Sequence, residues 1–149
     1  MNKPSRGFTL IELIVVILIL GIIGAVAAPR FIDLTSNARA ASVNGLRGAV
    51  LSAAALANAL QVSQNLASNA NVTIEGAAVT MTNRYPTADT NGIEKAIRAD
   101  STAFTTSGAG PFVWTAAGSA ATCNVTYTAP TGLGLPPTFS APVTAGVCN

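Results

Sequence analysis

The chain has 149 residues, of which 50% are hydrophobic and only 9% charged, with a formal net charge of +2 and no histidine. Its length allows one ordinary domain with an N-terminal extension, and its charge content lies far below the roughly 25% of an average soluble domain. Removing Lys3 and Arg6, both in the first seven residues, from the eight basic side chains leaves six against six acidic ones. No basic stripe is then left to neutralise phosphates, which argues against a nucleic-acid partner. The lack of imidazole removes His-based triads and the commonest metal ligand, so neither a catalytic site nor a metal or other cofactor is expected.

Met1 to Gly7 is short, polar and basic, and Phe8 to Ala28 is then almost uniformly apolar. That run of about 21 residues is long enough to cross a bilayer as a helix. Lys3 and Arg6 precede it, so the N-terminus is expected in the cytoplasm and everything after Ala28 outside. A secretory signal peptide or a plain anchor would share these features. Glu12 argues against both. A carboxylate inside an apolar span costs about 2.5–3.5 kcal/mol on insertion scales and reads as functional by default. A cut between Gly7 and Phe8 would create an ammonium at Phe8, four residues from Glu12. Within one helix the two groups meet only awkwardly, whereas the amine of a neighbouring copy approaches freely. The pattern points to a charge pair made on assembly.

Arg6-Gly7-Phe8-Thr9-Leu10-Ile11-Glu12 resembles the processing site of type IV prepilins and the related pseudopilins. The resemblance implies cleavage after Gly7 by a prepilin peptidase, methylation of the new N-terminal Phe8, and Glu12 as the assembly carboxylate. It also implies storage in the inner membrane, and polymerisation into an extracellular helical filament by an assembly ATPase and a platform protein. Pro29 stands where family members kink or locally melt the helix. Physically, an internal proline deletes a backbone hydrogen bond and crowds the preceding turn, and Gly21 and Gly24 weaken the helix just before it.

After Pro29 the pattern becomes periodic. Phe31, Leu34, Ala38, Ala41, Leu46, Val50, Ala53, Leu56 and Leu60 recur near helical spacing, with Asp33, Asn37, Arg39, Asn44, Arg47, Asn58 and Gln61 between them. A helix from Phe8 to about Leu60 would measure roughly 80 Å, too long for one small domain to bury. Pro29 to Leu34, Ala38-Arg39, Asn44 to Ala49 and Tyr85 to Ala88 are similar to stretches of MSHA-type (mannose-sensitive haemagglutinin) pilins.

From Asn65 onward Gly, Thr, Asn and Pro dominate. Val72 to Met81 reads as one strand, and Asp89 or Thr90 as the cap of a short helix carrying Ile93 and Ile97. Phe112 to Trp114 and Cys123 to Tyr127 read as two strands around a turn at Gly118, and Val143 to Val147 as a last edge strand. Cys123 and Cys148 suit neither a redox nor a zinc motif. In an exported chain they would form a disulfide worth about 3.5 kcal/mol, and in a cytoplasmic one they would be buried thiols. Asp89 with Thr90 and Asn91 could alternatively hold calcium, and Trp114 with Tyr127 a sugar.

The expected fold is α+β, a long N-terminal helix on a small antiparallel sheet. Residues 1–7 form the leader, 8–28 the membrane and filament-core helix, 29–62 its amphipathic continuation, and 63–149 a β-rich domain with a disulfide-bounded region at 123–148. The expected role is a structural pilin of the MSHA-like kind, a homo-oligomer and not an enzyme. The alternative is a pseudopilin of type II secretion.

Overall fold

A computed structural model describes residues 7–149, without the side chains of Pro29, Phe31, Ile32 and Asp33. The expectations resting on Lys3 and Arg6 fall outside the described residues. The first element, α1 (Leu10–Ser63), is a single helix of 54 residues that stays helical through Pro29. It outruns its expected end near Leu60 because the termination signal lies further on. Asn65 adopts the left-handed conformation at φ 51°. Its N–H donates to the Val62 carbonyl at 3.0 Å, and the Leu66 N–H donates to that of Gln61 at 3.1 Å. This pair of bonds is the Schellman cap, which satisfies carbonyls the helix would leave open, and asparagine is one of the few residues that tolerates its geometry.

The chain divides into two compact units between Thr35 and Ser36. In the first, the described residues before α1 are irregular, and the helix is solvent-exposed along nearly its whole apolar run. The second has its own core.

In that second unit α1 buries Ser36, Ala40, Val43, Leu46, Val50, Ala54, Ala57 and Gln61, at steps of three and four residues. Of the face expected from the sequence, Leu46 and Val50 lie on this stripe, but Leu34, Ala38, Ala41 and Leu56 are exposed. The polar positions differ more instructively. Asn44 donates from Nδ2 to the Val143 carbonyl at 2.9 Å, and its Oδ1 accepts from the Val143 N–H at 3.0 Å. Arg47 Nε donates to the Ser140 carbonyl at 2.8 Å, Asn58 Nδ2 to that of Arg84 at 2.9 Å, and Gln61 Nε2 to that of Ala70 at 2.8 Å. These side chains hold loop backbone that has no strand partner.

Against the helix lies an antiparallel sheet in the order β5 (Phe104–Ser107), β6 (Phe112–Ala116), β7 (Asn124–Thr128), β8 (Thr138–Phe139). The strict alternation of β6 and β7 points Phe112, Trp114, Ala116, Val125 and Tyr127 into the core. Each large side chain buried there contributes about 1.5–3 kcal/mol. Phe112 and Trp114 meet edge to face, with ring centroids 4.8 Å apart. Gly118 makes the β6–β7 turn at φ 68°.

The expected strand over Val72–Met81 is instead a hairpin, β1 (Val72–Ile74) and β2 (Ala77–Val79), followed by β3 (Met81–Thr82) and β4 (Tyr85–Pro86). Both connections, Glu75-Gly76 and Asn83-Arg84, have positive φ at each central residue, the primed turn whose twist matches paired strands. The short helix α2 (Ile93–Ile97) forms, with Ile93 fully buried and Ile97 partly so, but its N-cap is Gly92 rather than the expected Asp89 or Thr90, because the Asp89 carboxylate closes the turn ahead of the helix. The segment Val143–Val147 is not a strand but ends in a 3₁₀ turn, Ala145–Val147. β8 occupies the sheet edge in its place, and the Asn44 amide supplies the pairing that Val143 would have found in a ladder.

Candidate functional site

Around the N-terminus of α1, Gly7 and Phe8 lie outside regular structure; both are exposed, and a side chain added at Gly7 would meet nothing within 4 Å. The Glu12 carboxylate turns back toward the chain start. Its Oε2 accepts from the Thr9 backbone N–H at 2.8 Å and from the Thr9 hydroxyl at 2.8 Å. The Thr9 Oγ1 in turn accepts from the Glu12 N–H at 3.3 Å. This is a capping box, with threonine at the cap and glutamate three residues on, each satisfying an otherwise open helix donor. Thr9 joins the site only in the structure, although its signal, Thr-x-x-Glu before an apolar run, is plain in the sequence. In its own chain the Glu12 carboxylate is engaged by Thr9.

Phe8, Ile11, Glu12, Val15 and Val16 line one shallow hollow on this helix. The run Leu10–Ala28 is long and apolar enough to cross a membrane, and none of its residues is buried inside the chain. Phe8 is 80% exposed and Leu10 75%. Pro29 sits within continuous helix.

Cys123 and Cys148 form a disulfide, their Cα atoms 4.7 Å apart, and both are fully buried. The bond pins the last turn against the start of β7, beside a contact from the Ser36 hydroxyl to the Asn149 side chain.

The remaining candidates resolve into structure. Trp114 and Tyr127 are fully buried and cannot stack on a sugar. Trp114 Nε1 donates to Glu94, and the Tyr127 hydroxyl donates to the Pro86 carbonyl at 2.7 Å. Burial, with a smaller contribution from Tyr85, raises the Tyr127 pKa well above the usual phenol value. Partial burial likewise raises that of Glu94, and the Trp114 bond only partly offsets it. Asp89 caps its own turn, accepting from the N–H groups of Asn91 and Gly92 at 2.8 Å each. The Thr102 hydroxyl and then its N–H hold Asp100 below the ordinary carboxylate range. Among the described residues no cluster of acidic or cysteine side chains is arranged to hold a metal ion.

The family model for the prokaryotic N-terminal methylation motif matches residues 2–28. The chain is 55% identical over 53 residues to the type IV narrow pilus major component PilA5 of Thermus thermophilus, a match covering 36% of this chain and 46% of that protein. It is 54% identical over 39 residues to the type IV major pilin protein PilE of Neisseria gonorrhoeae and to a fimbrial protein of Neisseria meningitidis serogroup B, covering 26% of this chain and 23% of each relative. The chain thus matches less than half the length of these curated relatives. No solved structure matches it significantly.

Proposed function

We propose that this chain, related to the type IV pilins through its N-terminal third, is a structural subunit of a type IV pilus. One observation carries this reading: an apolar helix with no residue buried in its own chain retains a single carboxylate, Glu12, beside an exposed Gly7-Phe8 bond. A surface so apolar needs lipid or other helices around it.

In the proposed sequence, prepilin peptidase cuts after Gly7 and the Phe8 amine is methylated. The subunit waits in the inner membrane with its N-terminus cytoplasmic. There Thr9 donates to the Glu12 carboxylate and lowers the cost of keeping it in the span. During assembly the Phe8 ammonium of a neighbouring copy supplies a full counter-charge, a stronger partner than the neutral Thr9 donors. The helices then form the filament core and the sheet units its exterior, so the product is an extracellular homopolymer driven by an assembly ATPase and a platform protein. Continuous helix at Pro29 would be the place to extend under load. The role is structural and not enzymatic, and the local sequence likenesses favour an MSHA-like pilus for attachment or motility.

A pseudopilin piston of type II secretion is the second reading; the Cys123–Cys148 bond near the C-terminus favours the surface pilus. Electron microscopy of sheared cell-surface material separates them, and mass analysis of its N-terminal peptide tests processing. A peptide starting at methylated Phe8 is expected, and an intact Met1 would refute the proposal. Glu12→Ala should be processed yet fail to polymerise; filaments at parental yield would rule out the charge pair.

A further inference from the structure

Beside the β3–β4 turn lies an open groove lined by Asn58, Val62, Asn83, Arg84, Tyr85, Leu135 and Pro136, wholly within the second unit. Arg84 occupies the second central position of a primed turn at φ 73°, where glycine is the favoured residue and a side chain with a Cβ is strained. Such strain persists only where neighbours over-determine the backbone, and they do so here. The Arg84 N–H donates to the Ser68 carbonyl at 2.8 Å, and its carbonyl accepts from Asn58 at 2.9 Å. Asn83 is tied as firmly, its N–H to Asn69 Oδ1 at 3.0 Å and its Nδ2 to the Pro130 carbonyl at 2.9 Å. The guanidinium itself is exposed, with no ion pair or side-chain hydrogen bond among the described residues.

Among the described residues of the second unit, the side-chain carboxylates are otherwise engaged: Glu75 is held by Arg98, Asp89 by the Asn91 and Gly92 N–H groups, Glu94 by Trp114 and Asp100 by Thr102. Next to the free cation stand flat apolar surfaces: the half-buried Tyr85 ring, Pro136, and Leu135, which is 51% exposed.

We propose that this groove is a binding site for a carboxylate carried on a flat, partly apolar body, either the acidic sugar of a glycan or a free small organic acid. The Arg84 fork takes the carboxylate through paired N–H donors. Tyr85, Leu135 and Pro136 cover the apolar face, as a small-ligand site combines a few polar groups with hydrophobic walls. This site is independent of assembly through Glu12.

The test is a chemical-shift titration of the full chain, isotope-labelled in zwitterionic detergent micelles, with sodium glucuronate, sodium benzoate, neutral glucose and inorganic phosphate. Saturable shifts are expected at the Arg84 side-chain N–H and the Asn58 and Asn83 amides, with glucose and phosphate ineffective. Shifts with glucuronate alone assign a sugar acid, and shifts with benzoate alone a free apolar acid. Arg84→Gly suits the turn better than the parent residue. It should therefore retain the fold, melt at least as high, and weaken binding by about ten-fold or more. The proposal is overturned if neither acid shifts these groups, if phosphate or glucose shifts them equally, or if Arg84→Gly binds like the parent chain.

Discussion

Asn44 performs for Val143 what a neighbouring strand would do, since its amide both donates to and accepts from that residue's backbone at 2.9 and 3.0 Å. Asn44→Ala removes both bonds and leaves a half-buried N–H and C=O to find water. Two neutral hydrogen bonds at about 1 kcal/mol each give a loss of about 2 kcal/mol. Alanine recovers roughly 0.5 kcal/mol of helix propensity, so the net destabilisation is about 1.5 kcal/mol. In a unit of this size that lowers the melting midpoint by about 8 °C. The assay is denaturant unfolding of the full chain in micelles, followed by the fluorescence of the single tryptophan, Trp114. Hydrogen exchange at the Val143 amide serves as the local readout. Exchange should accelerate at Val143 far more than along β6 and β7. A variant within about 0.3 kcal/mol of the parent, with Val143 still protected, would show that the helix amide does not hold the C-terminal segment.

Three further outcomes follow from the same geometry. Replacing Cys123 and Cys148 together by serine opens a loop with a sequence separation of 25, and unfolding under oxidising conditions should become easier by about 3.5 kcal/mol. An unchanged denaturant midpoint would contradict this. A methyl group at Gly92 would lie 2.2 Å from the Thr87 carbonyl oxygen, whereas one at Gly45 meets nothing within 4 Å. Gly92→Ala should therefore cost about 1–3 kcal/mol and Gly45→Ala gain up to about 1 kcal/mol; equal effects on the unassembled chain would refute the turn packing. Glu94 has a raised pKa in the folded chain. Its carboxyl therefore stabilises the fold most when protonated, below the ordinary carboxylate pKa, and that contribution fades as pH rises through the raised folded value. Glu94→Gln, which still accepts from Trp114, should gain on the parent as pH goes from about 4 to 7. Urea midpoints at both pH values check the sign, and a Gln variant that loses ground toward neutral pH would reverse it.

Much was legible in local sequence because the governing physics is itself local. The apolar run after Phe8, the lone Glu12 and the helical spacing beyond Pro29 announce a long helix exposed to something other than water. The alternation of Phe112 to Trp114 and Cys123 to Tyr127 announces two half-buried strands, and both formed, as Phe112–Ala116 and Asn124–Thr128. Which side of the helix turns inward was not legible. α1 is rich in alanine on several faces, so its hydrophobic contrast is shallow, and among the described side chains the expected stripe is fully buried only at Leu46 and Val50, with Ala53 and Leu60 half-buried. Tertiary structure settled it by asking which side chains could satisfy loop backbone. Asn44, Arg47, Asn58 and Gln61 turn toward the loops because their amides and guanidinium replace absent strands, a demand invisible until the loops are in place. β3, β4 and β8, at two residues each, carry too little pattern to be read, and the C-terminal segment took its conformation from Asn44 and the disulfide. The sequence by itself determined the helix, its capped N-terminal end and the central strands, since periodicity and capping act over a few residues. Only the tertiary structure decided the buried face, the sheet edge and the setting of Arg84, because these depend on partners distant in the chain.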